Sequence, residues 1–475
     1  NAYICPLIKG YRDGLQLRLR SACFVGPLLL MFSHGGVGPV EEAVRVAAGT
    51  VLSGPAGGLA GGRRATAMLH EFDGIEACDL ITFDVGGTST DISLIVGGEA
   101  ALSKDRTMAN ERIALPSLDI VTLGAGGGSI ARVEAGGLLE VGPQSAGAVP
   151  GPICYGAGGT EPTVTDASVV LGFLDPDNFA GGRTRLDRNA ALAAFERLGD
   201  ALGIDALQAA DGVHRVVNTQ MAEGIRMVTV RRGVDPRRFG LLGFGGAAAM
   251  HVTELARTLG LRRVLVPRVA SVLSAWGMLT TDLRLESVHS HVGETDTLDV
   301  NALRALYESM TLEGRTRMQG WFDGHIETRR SAEMRYGEQI FEIDVQLDGI
   351  DLDASDAMAS LKRAFEQRHE ALYTYSLAQQ QPVLVNARVT TVGVLPVLPV
   401  ESPASTGTSA APIGQRDIFL GKWLAADVYW FSALGAGQVV NGPALIESES
   451  TTVLLRPGDR ATTTSQRWLD IDVSG

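Results

Sequence analysis

The chain has 475 residues, too many for one ordinary domain, and this length predicts a large buried core shared among several domains. Its 41 Lys and Arg against 54 Asp and Glu give a net charge of −13 without any basic block, which argues against nucleic acid and anionic membranes as partners. The four cysteines show no CxxC spacing and the apolar runs are too short to cross a bilayer, so we expect a protein of the reducing cytoplasm.

The chain opens with a predicted helix, strand and tight turn. Tyr3, Leu7 and Tyr11 recur at helical spacing, which predicts an amphipathic helix from the first residues onward. The apolar run at 28–32 predicts a buried strand, and the Ser-His-Gly-Gly sequence at 33–36 predicts a tight turn before a short helix. Because helical periodicity is present from the first residues, we expect this chain to begin in the middle of a domain.

A helix of small residues and a hairpin with a glycine turn come next. Ser53 is the predicted N-cap of the helix, Pro55 lies in its first turn, and the small residues up to Ala67 predict close packing against another backbone. The apolar runs at 80–83 and 91–96 flank a glycine turn and predict a β-hairpin.

Helices and strands then alternate along the rest of the chain. The predicted helices lie at 189–231, 248–259, 271–281, 301–319 and 357–373, and the predicted strands at 241–244, 264–266 and 327–347. A stretch rich in Pro, Ser, Thr and Ala at 399–412 is typical of a solvated linker, and short apolar runs after it predict a small β module.

The hairpin turn carries the residues from which we predict a phosphate cradle. Gly86 and Gly87 permit positive φ angles and the close approach of a phosphate, while Thr88 and Thr90 supply hydroxyl donors. An ordinary hairpin turn rich in Gly and Thr explains the same spacing equally well, because short glycine motifs are weak evidence by themselves.

Two carboxylates flank this turn and are the predicted catalytic residues. Asp84 and Asp91 would repel a phosphate in direct contact, so we predict that they act through a hydrated Mg²⁺ or by orienting water, with Asp84 binding the metal through water. The sequence contains no HExxH or paired CxxC pattern that would indicate another metal site.

The order of these elements resembles that of actin, sugar kinases and heat-shock chaperone ATPases, in which two lobes close over ATP. The resemblance implies that Gly245 and Gly246 hold the adenosine side of ATP, while the turn at 84–91 holds its phosphates together with Mg²⁺. It also implies a crossing of two small-residue helices. At this crossing Gly57, Gly58 and Gly61 would face Ser274, Ala275 and Gly277.

Five ordered motifs carry a more specific resemblance. They are LSGPAGG at 52–58, TFDVGGTSTD at 82–91, GAGGGS at 124–129, PGPICYG at 150–156 and TVTDA at 163–167. Their order resembles that of the A-type subunits of the hydantoinase/oxoprolinase family, over essentially the whole chain. The resemblance implies an α/β fold with an actin-like, ribonuclease H-like ATPase lobe and a smaller α+β C-terminal domain.

The same resemblance implies a domain division and a function. The implied segments are 1–55 (a remnant of the first lobe), 56–287 (the ATP-binding lobe), 288–398 (α+β), 399–412 (linker) and 413–475 (β module). Members of the family use ATP to activate an unreactive carbonyl. We expect a subunit that opens a cyclic amide, 5-oxoproline or a hydantoin, together with a B-type subunit. The alternatives are a ketone carboxylase subunit, or a catalytically incomplete chain that only binds its partner.

The chain departs from the family pattern at three places. No glycine and threonine loop precedes Asp84, so we expect the first phosphate loop to be missing and this chain alone to have little activity. Val121 stands where relatives usually carry His, so any task of that His is lost or moved. Ala-Ala-Met-His at 248–251 stands where relatives carry Gly-Pro-Leu-His.

Four further residues receive a structural interpretation first. A lone histidine is more often structural than functional, so packing is the preferred interpretation of His34 and His251, with a place in the cleft left open. Cys154 has no partner His at a recognisable spacing, so we expect packing there too. Asp166 is expected to cap the helix that follows it.

Overall fold

The computed structural model describes residues 3–74, 79–103, 106–108, 111–113, 115, 117–337, 339–340, 342–377, 379–396 and 409–473. The α-helices in chain order are α1 (Cys5–Ser21), α2 (Val40–Arg45), α3 (Ser53–Asp73), α4 (Val164–Val170), α5 (Arg188–Leu202), α6 (Ala206–Arg231), α7 (Val252–Leu259), α8 (Leu273–Leu279), α9 (Val300–Gln319) and α10 (Ala357–Tyr373). In these described ranges no helix is both long and apolar enough to cross a bilayer.

The strands include the predicted hairpin and the predicted C-terminal set. In chain order they are β1 (Leu29–Met31), β2 (Val37–Pro39), β3 (Leu80–Val85), β4 (Thr90–Val96), β5 (Glu99–Ala100), β6 (Leu102–Ser103), β7 (Arg106–Met108), β8 (Glu111–Ile113), β9 (Ser117–Leu118), β10 (Val121–Leu123), β11 (Ser129–Val133), β12 (Leu139–Ser145), β13 (Gly240–Phe244), β14 (Arg263–Val266), β15 (Leu283–Glu294), β16 (Ile326–Tyr336), β17 (Ile343–Gln346), β18 (Pro382–Gly393), β19 (Gly414–Phe419), β20 (Trp423–Trp430), β21 (Val439–Asn441), β22 (Ala444–Glu447), β23 (Thr452–Leu455), β24 (Arg460–Thr463) and β25 (Leu469–Asp472).

The chain forms two compact units, each assembled from separate stretches of sequence. Unit 1 consists of Asn1–Phe32, Gly36–Val51 and Thr281–Val397, and unit 2 of Ser33–Gly35, Leu52–Thr280 and Leu398–Gly475. The domain boundaries implied by the family resemblance are single continuous segments and stay a prediction. Most of the predicted linker, 399–408, lies outside the described residues.

Unit 1 is built on a six-stranded sheet with strand order β1-β2-β15-β18-β16-β17. Helices α9 and α10 contribute Tyr307 and Phe365 to the apolar core beside this sheet. The opening segment joins the sheet through a parallel pairing of Val37 with Leu283, which the sequence did not predict. The predicted opening helix is confirmed as α1, although Tyr3 and the other apolar residues of its predicted stripe are exposed.

Unit 2 is built on a nine-stranded sheet, and the glycine-rich elements lie in it. Its main order is β10-β4-β3-β13-β14-β25-β24-β21, with β5 paired to β4. Strands β3 and β13 are parallel and adjacent, so their carboxyl ends lie at the same edge. The predicted C-terminal strands divide between two sheets, because β25 pairs with β14 whereas β19, β20, β22 and β23 form a sheet of their own.

Helices α3 and α8 cross with almost no space between their backbones, as the small residues predict. A Cβ added to Gly277 would lie 1.9 Å from the Gly57 carbonyl oxygen, and one added to Gly57 would lie 2.5 Å from the Ser274 carbonyl oxygen. Gly277 also faces Gly61, since a Cβ added to Gly277 would lie 2.5 Å from the Gly61 nitrogen, and Gly61 contacts Leu273 as well. The prediction of Ser53 as N-cap was wrong, because the cap is Leu52, in the left-handed region, and Ser53 is already helical.

Candidate functional site

The β3–β4 hairpin ends in a turn that stands open to solvent. Asp84 pairs with Asp91 across the hairpin, and the Gly86 N–H donates to the Ser89 carbonyl oxygen at 3.1 Å to close the turn. Strand β3 runs through Val85, so Asp84 lies at the end of the strand instead of in the turn as predicted. The hairpin is therefore confirmed, with a shorter turn.

The two glycines of this turn have neither a positive φ angle nor a close neighbour where a Cβ would lie. Neither Gly86 nor Gly87 has a positive φ, so this part of the prediction was wrong. A Cβ added to Gly87 would meet no atom within 4 Å, and one added to Gly86 would meet only the Ser89 carbonyl oxygen at 4.0 Å. In the described part of the chain, the N–H groups of Gly87 and Thr88 have no acceptor, so both are available to a ligand.

A second glycine loop packs against the hairpin turn, and the sequence interpretation gave it no role. The N–H groups of Gly127 and Gly128 donate to the carbonyl oxygens of Gly86 and Gly87 at 3.0 and 2.6 Å. Thr90 donates its hydroxyl hydrogen to the Ala125 carbonyl oxygen at 2.6 Å. The Thr90 side chain is buried, and its hydroxyl hydrogen is used in this bond, which holds the two loops together. We predicted a Thr90 hydroxyl that is available to a ligand, and in the structure it is not. The GAGGGS motif was the signal for this contact.

The turn at Gly245 and Gly246 meets the hairpin at the same edge of the sheet. Phe244 pairs with Asp84 in the parallel ladder, and the Ala247 N–H donates to the Val85 carbonyl oxygen at 3.1 Å. Gly245 has φ +86°, and a Cβ there would lie 2.4 Å from Asp84 Oδ1. Only glycine fits this position. The predicted proximity of the two glycine turns is confirmed, and their role in holding a nucleotide stays a prediction.

Asp84 is half buried and lacks a cationic partner. Its Oδ2 accepts a hydrogen bond from Ser274 Oγ at 3.3 Å, and among the described residues no Lys or Arg pairs with it. Burial and, to a smaller extent, the negative charge of Asp91 raise the pKa of Asp84 to about 6, although the bond from Ser274 opposes the rise. A carboxylate in this state favours an incoming cation, because a positive charge would relieve both effects.

Asp91 is held by the neighbouring strand, which also carries Val121, the residue at one departure from the family pattern. Thr122 on β10 donates its hydroxyl hydrogen to Asp91 Oδ1, and Val121 pairs with Ile92 in the same ladder. Over the described ranges, no three His, Cys, Asp or Glu side chains cluster as a ready metal site. The prediction that Asp84 binds Mg²⁺ through water stays a prediction.

His251 is a core residue and not a cleft residue. Its ring stacks on His214 with centroids 4.9 Å apart, and its Nδ1 lies 2.9 Å from Asn218 Oδ1. Burial lowers the pKa of His251 to about 4, helped by the positive charge of Arg456. The structural interpretation is supported for this residue, whereas His34 is half buried in the turn at 33–36 and its role stays open.

Cys154 and Asp166 form one structural unit. The Cys154 N–H donates to Asp166 Oδ1 at 2.7 Å, and burial raises the pKa of the thiol far above its ordinary value. Such a thiol is not a nucleophile at neutral pH. Asp166 takes part in capping as expected, but from the third position of the helix, where its side chain accepts from the backbone N–H of the N-cap residue Thr163 in a capping box.

Comparisons with known proteins agree with this architecture. The family model for hydantoinase/oxoprolinase matches residues 1–287, and the model for the hydantoinase/oxoprolinase C-terminal domain matches residues 295–472. The chain is 38% identical to caprolactamase subunit alpha of Pseudomonas jessenii, over 97% of this chain and 67% of that protein. It is 32% identical to 5-oxoprolinase 1 of Arabidopsis thaliana, over 100% of this chain and 38% of that much longer protein.

Two solved structures are similar over nearly the whole chain. The crystal structure of ATP-dependent caprolactamase from Pseudomonas jessenii has a TM-score of 0.83 and 36% identity, covering 100% of this chain and 69% of that chain. The nucleotide-free structure of acetone carboxylase has a TM-score of 0.79 and 26% identity, covering 94% and 64%. The predicted fold class, an actin-like ATPase lobe with an α+β C-terminal domain, is confirmed.

Proposed function

The chain belongs to the hydantoinase/oxoprolinase family, and from this membership we propose that it is the ATP-using subunit of an enzyme that opens a cyclic amide. The observation that carries the proposal is the convergence of two glycine turns, at one edge of a sheet, on the half-buried Asp84, which has no Lys or Arg partner among the described residues. The substrate classes that we propose are lactams such as 5-oxoproline and hydantoins, since relatives named caprolactamase and 5-oxoprolinase are amide-opening enzymes by name.

The residues around the turn fit a nucleotide with Mg²⁺. The free N–H groups of Gly87 and Thr88 would hold phosphate oxygens, and the space where Gly87 has no Cβ admits them without a clash. Asp84 would hold Mg²⁺ through water, because its carboxylate is not occupied by a Lys or Arg in the described ranges. Gly245 and Gly246 would hold the nucleoside end.

The chemistry requires that an inert carbonyl oxygen be turned into a leaving group. A lactam carbonyl is a poor electrophile, and ATP would supply the phosphoryl group that changes this. The protein contributes position and charge: the turn at 86–88 fixes the phosphates, and Asp84 with Asp91 orients water or metal-bound water. Thr122 holds Asp91 in place for this task.

The partner in this proposal is a B-type subunit. Relatives are named as subunits, caprolactamase subunit alpha among them, so a second polypeptide takes part in those enzymes. Here the A-type chain would activate the carbonyl, and the B-type chain would complete ring opening. The net negative charge of −13 matches a protein or small-molecule partner better than a polyanion.

The test is phosphate release from ATP and Mg²⁺ by the complex with its B-type partner, with 5-oxoproline, caprolactam, hydantoin and acetone offered in turn. We expect release to rise with one of the cyclic amides. Asp84→Asn should abolish the stimulated release, whereas Asp79→Asn, at the other end of the same hairpin, should not. Stimulation that survives in Asp84→Asn would remove Asp84 from the mechanism.

One alternative has a specific observation in its favour. The structural similarity to acetone carboxylase extends over 94% of this chain, so a ketone carboxylase subunit would use the same cradle. Phosphate release that is stimulated by acetone with bicarbonate, and not by the amides, would favour this alternative. A subunit that only binds its partner would show no stimulated release with any substrate.

A further inference from the structure

The tip of the hairpin formed by β22 and β23 lies beside the second glycine turn. A Cβ added to Gly246 would lie 3.8 Å from the Ser450 carbonyl oxygen. The hydroxyl groups of Ser271 and Ser450 are 2.6 Å apart and share a hydrogen bond. Gly246 and Ser450 are both exposed, so the surface that they form together is accessible to a ligand.

The hairpin tip is held in one conformation by its own polar groups. Ser448 Oγ accepts hydrogen bonds from the N–H groups of Ser450 and Thr451 at 3.3 and 3.0 Å. The Ser448 N–H donates to the Thr451 carbonyl oxygen at 2.9 Å. A wall that is already ordered loses little conformational entropy when it binds a ligand.

Two further hydrogen bonds hold the β22–β23 hairpin and the glycine turn to their neighbouring segments. Thr253 on α7 donates its hydroxyl hydrogen to the Leu454 carbonyl oxygen at 3.1 Å. The Gly245 N–H donates to the Ala270 carbonyl oxygen at 2.8 Å, next to Ser271. The turn, the segment that bears Ser271 and the hairpin therefore form a continuous rim.

The groups along this rim have a definite order. The open turn at Gly87 is followed by Asp84, then by Gly245 in contact with Asp84, then by Gly246 and finally by Ser450. If phosphates occupy the open turn, the other end of the same ligand reaches Gly246 and the hairpin tip. This step rests on the proposed function.

We propose that the tip of the β22–β23 hairpin, residues 448–451, forms the nucleoside wall of the ATP site, with Ser450 and Ser271 as specificity-determining residues. One hydroxyl hydrogen of the serine pair is used between the two side chains, so the other remains free to donate to a nucleoside. The Ser450 carbonyl oxygen accepts from a ribose hydroxyl or a base amino group. The C-terminal segment would in this way complete a site whose phosphate end lies on β3 and β4.

The experiment measures binding of Mg²⁺-ATP and of inorganic tripolyphosphate with Mg²⁺ to the full-length protein by calorimetry. Ser450→Trp fills the space beside Gly246 and should weaken ATP binding at least tenfold while tripolyphosphate binding stays within about twofold. Ser450→Ala, which keeps the fold with least change, should weaken ATP binding about threefold. Ser432→Trp, at an exposed serine of the same C-terminal segment, is the matched control and should change neither.

The outcomes separate this inference from the function on which it rests. Wild-type protein that binds neither ATP nor tripolyphosphate overturns the proposed function, and this inference with it. Wild-type protein that binds ATP, with Ser450→Trp binding it equally well, overturns the nucleoside wall alone. Equal losses for ATP and tripolyphosphate in both Ser450 variants also overturn it, because a nucleoside wall leaves the phosphate end unchanged.

Discussion

The glycines of the α3–α8 crossing and those of the β3–β4 turn serve opposite purposes. At the crossing, a Cβ on Gly277 would lie 1.9 Å from a carbonyl oxygen, so the missing side chain is filled by another backbone. At the turn, a Cβ on Gly87 would meet nothing within 4 Å, so the missing side chain leaves room that the protein itself does not use. Filled glycines maintain the fold, whereas the open glycine turn is where we propose that phosphates bind.

The largest expected effect comes from filling the crossing. Gly277→Ala places a methyl group against the Gly57 carbonyl oxygen, and rigid backbone on both sides cannot move away cheaply. We expect a loss of about 3 kcal/mol or more in the free energy of unfolding, measured by urea denaturation. Gly54→Ala, in the open first turn of α3, is the control and should be neutral or slightly stabilising. Equal effects of the two substitutions would contradict the close crossing.

The buried histidine pair gives the next largest effect, and it depends on pH. The folded-state pKa of His251, about 4, lies below the ordinary value of 6.5, so this residue contributes stability above pH 6.5 that is lost as the pH falls towards 4. Burial lowers the pKa of His214 in the same direction. One histidine shifted this far accounts for about 3 kcal/mol between pH 7 and pH 4.

His251→Asn tests this assignment directly. The Asn amide can donate to Asn218 Oδ1 in place of Nδ1–H but cannot take up a proton. Urea denaturation at pH 7 and pH 4 should show a smaller acid loss in the variant, by about 3 kcal/mol. An unchanged acid loss would mean that His251 is not the group that titrates.

A smaller effect, of opposite sign, is expected at Asp84. Its raised folded-state pKa means that the stability it contributes is present below pH 3.8 and is lost as the pH rises through about 6. Asp84→Asn should therefore raise the free energy of unfolding at pH 8 by about 1–2 kcal/mol, after allowance for partial exposure to solvent. The gain should vanish near pH 4. A destabilised variant at pH 8 would show that the carboxylate is needed for the fold and not held for a ligand.

The sequence predicted the elements better than their assembly. Glycine and small-residue spacing located the hairpin, both crossing helices and the turn at Gly245, because these patterns are local. The pairing of Val37 with Leu283 and of β14 with β25 joins residues about 200 or more positions apart, and no local pattern specifies such a contact. The predicted N-cap at Ser53 was wrong because α3 begins directly after Leu52, whose left-handed backbone stands where a side-chain cap was expected.

The candidate site shows the same limit. Residue type and spacing selected Asp84, Gly86 and Gly87 as candidates, and the resemblance added Gly245, but the burial of Thr90 was not predicted. Its hydroxyl is directed at the Ala125 carbonyl oxygen by a loop that begins more than thirty residues later, so the hairpin sequence alone could not reveal that it is buried. The Ser450 contact with Gly246 is more distant still and required the tertiary structure.

The smallest expected effect on stability is at the open turn, and it is the sharpest test of the comparison. Gly87→Ala adds a methyl group where the protein has no atom within 4 Å and where φ is not positive, so the free energy of unfolding should change by less than about 0.5 kcal/mol.

The same methyl group would occupy space that a phosphate needs. We expect the affinity for Mg²⁺-ATP to fall at least tenfold, measured by calorimetry on a protein whose urea denaturation matches the wild type. The adjacent Ser89→Ala, at a half-buried position of the same turn, is the control and should bind ATP within about threefold of the wild type. Full ATP affinity in Gly87→Ala would show that the open space is an ordinary hairpin turn, and the contrast between filled and open glycines would then carry no functional meaning.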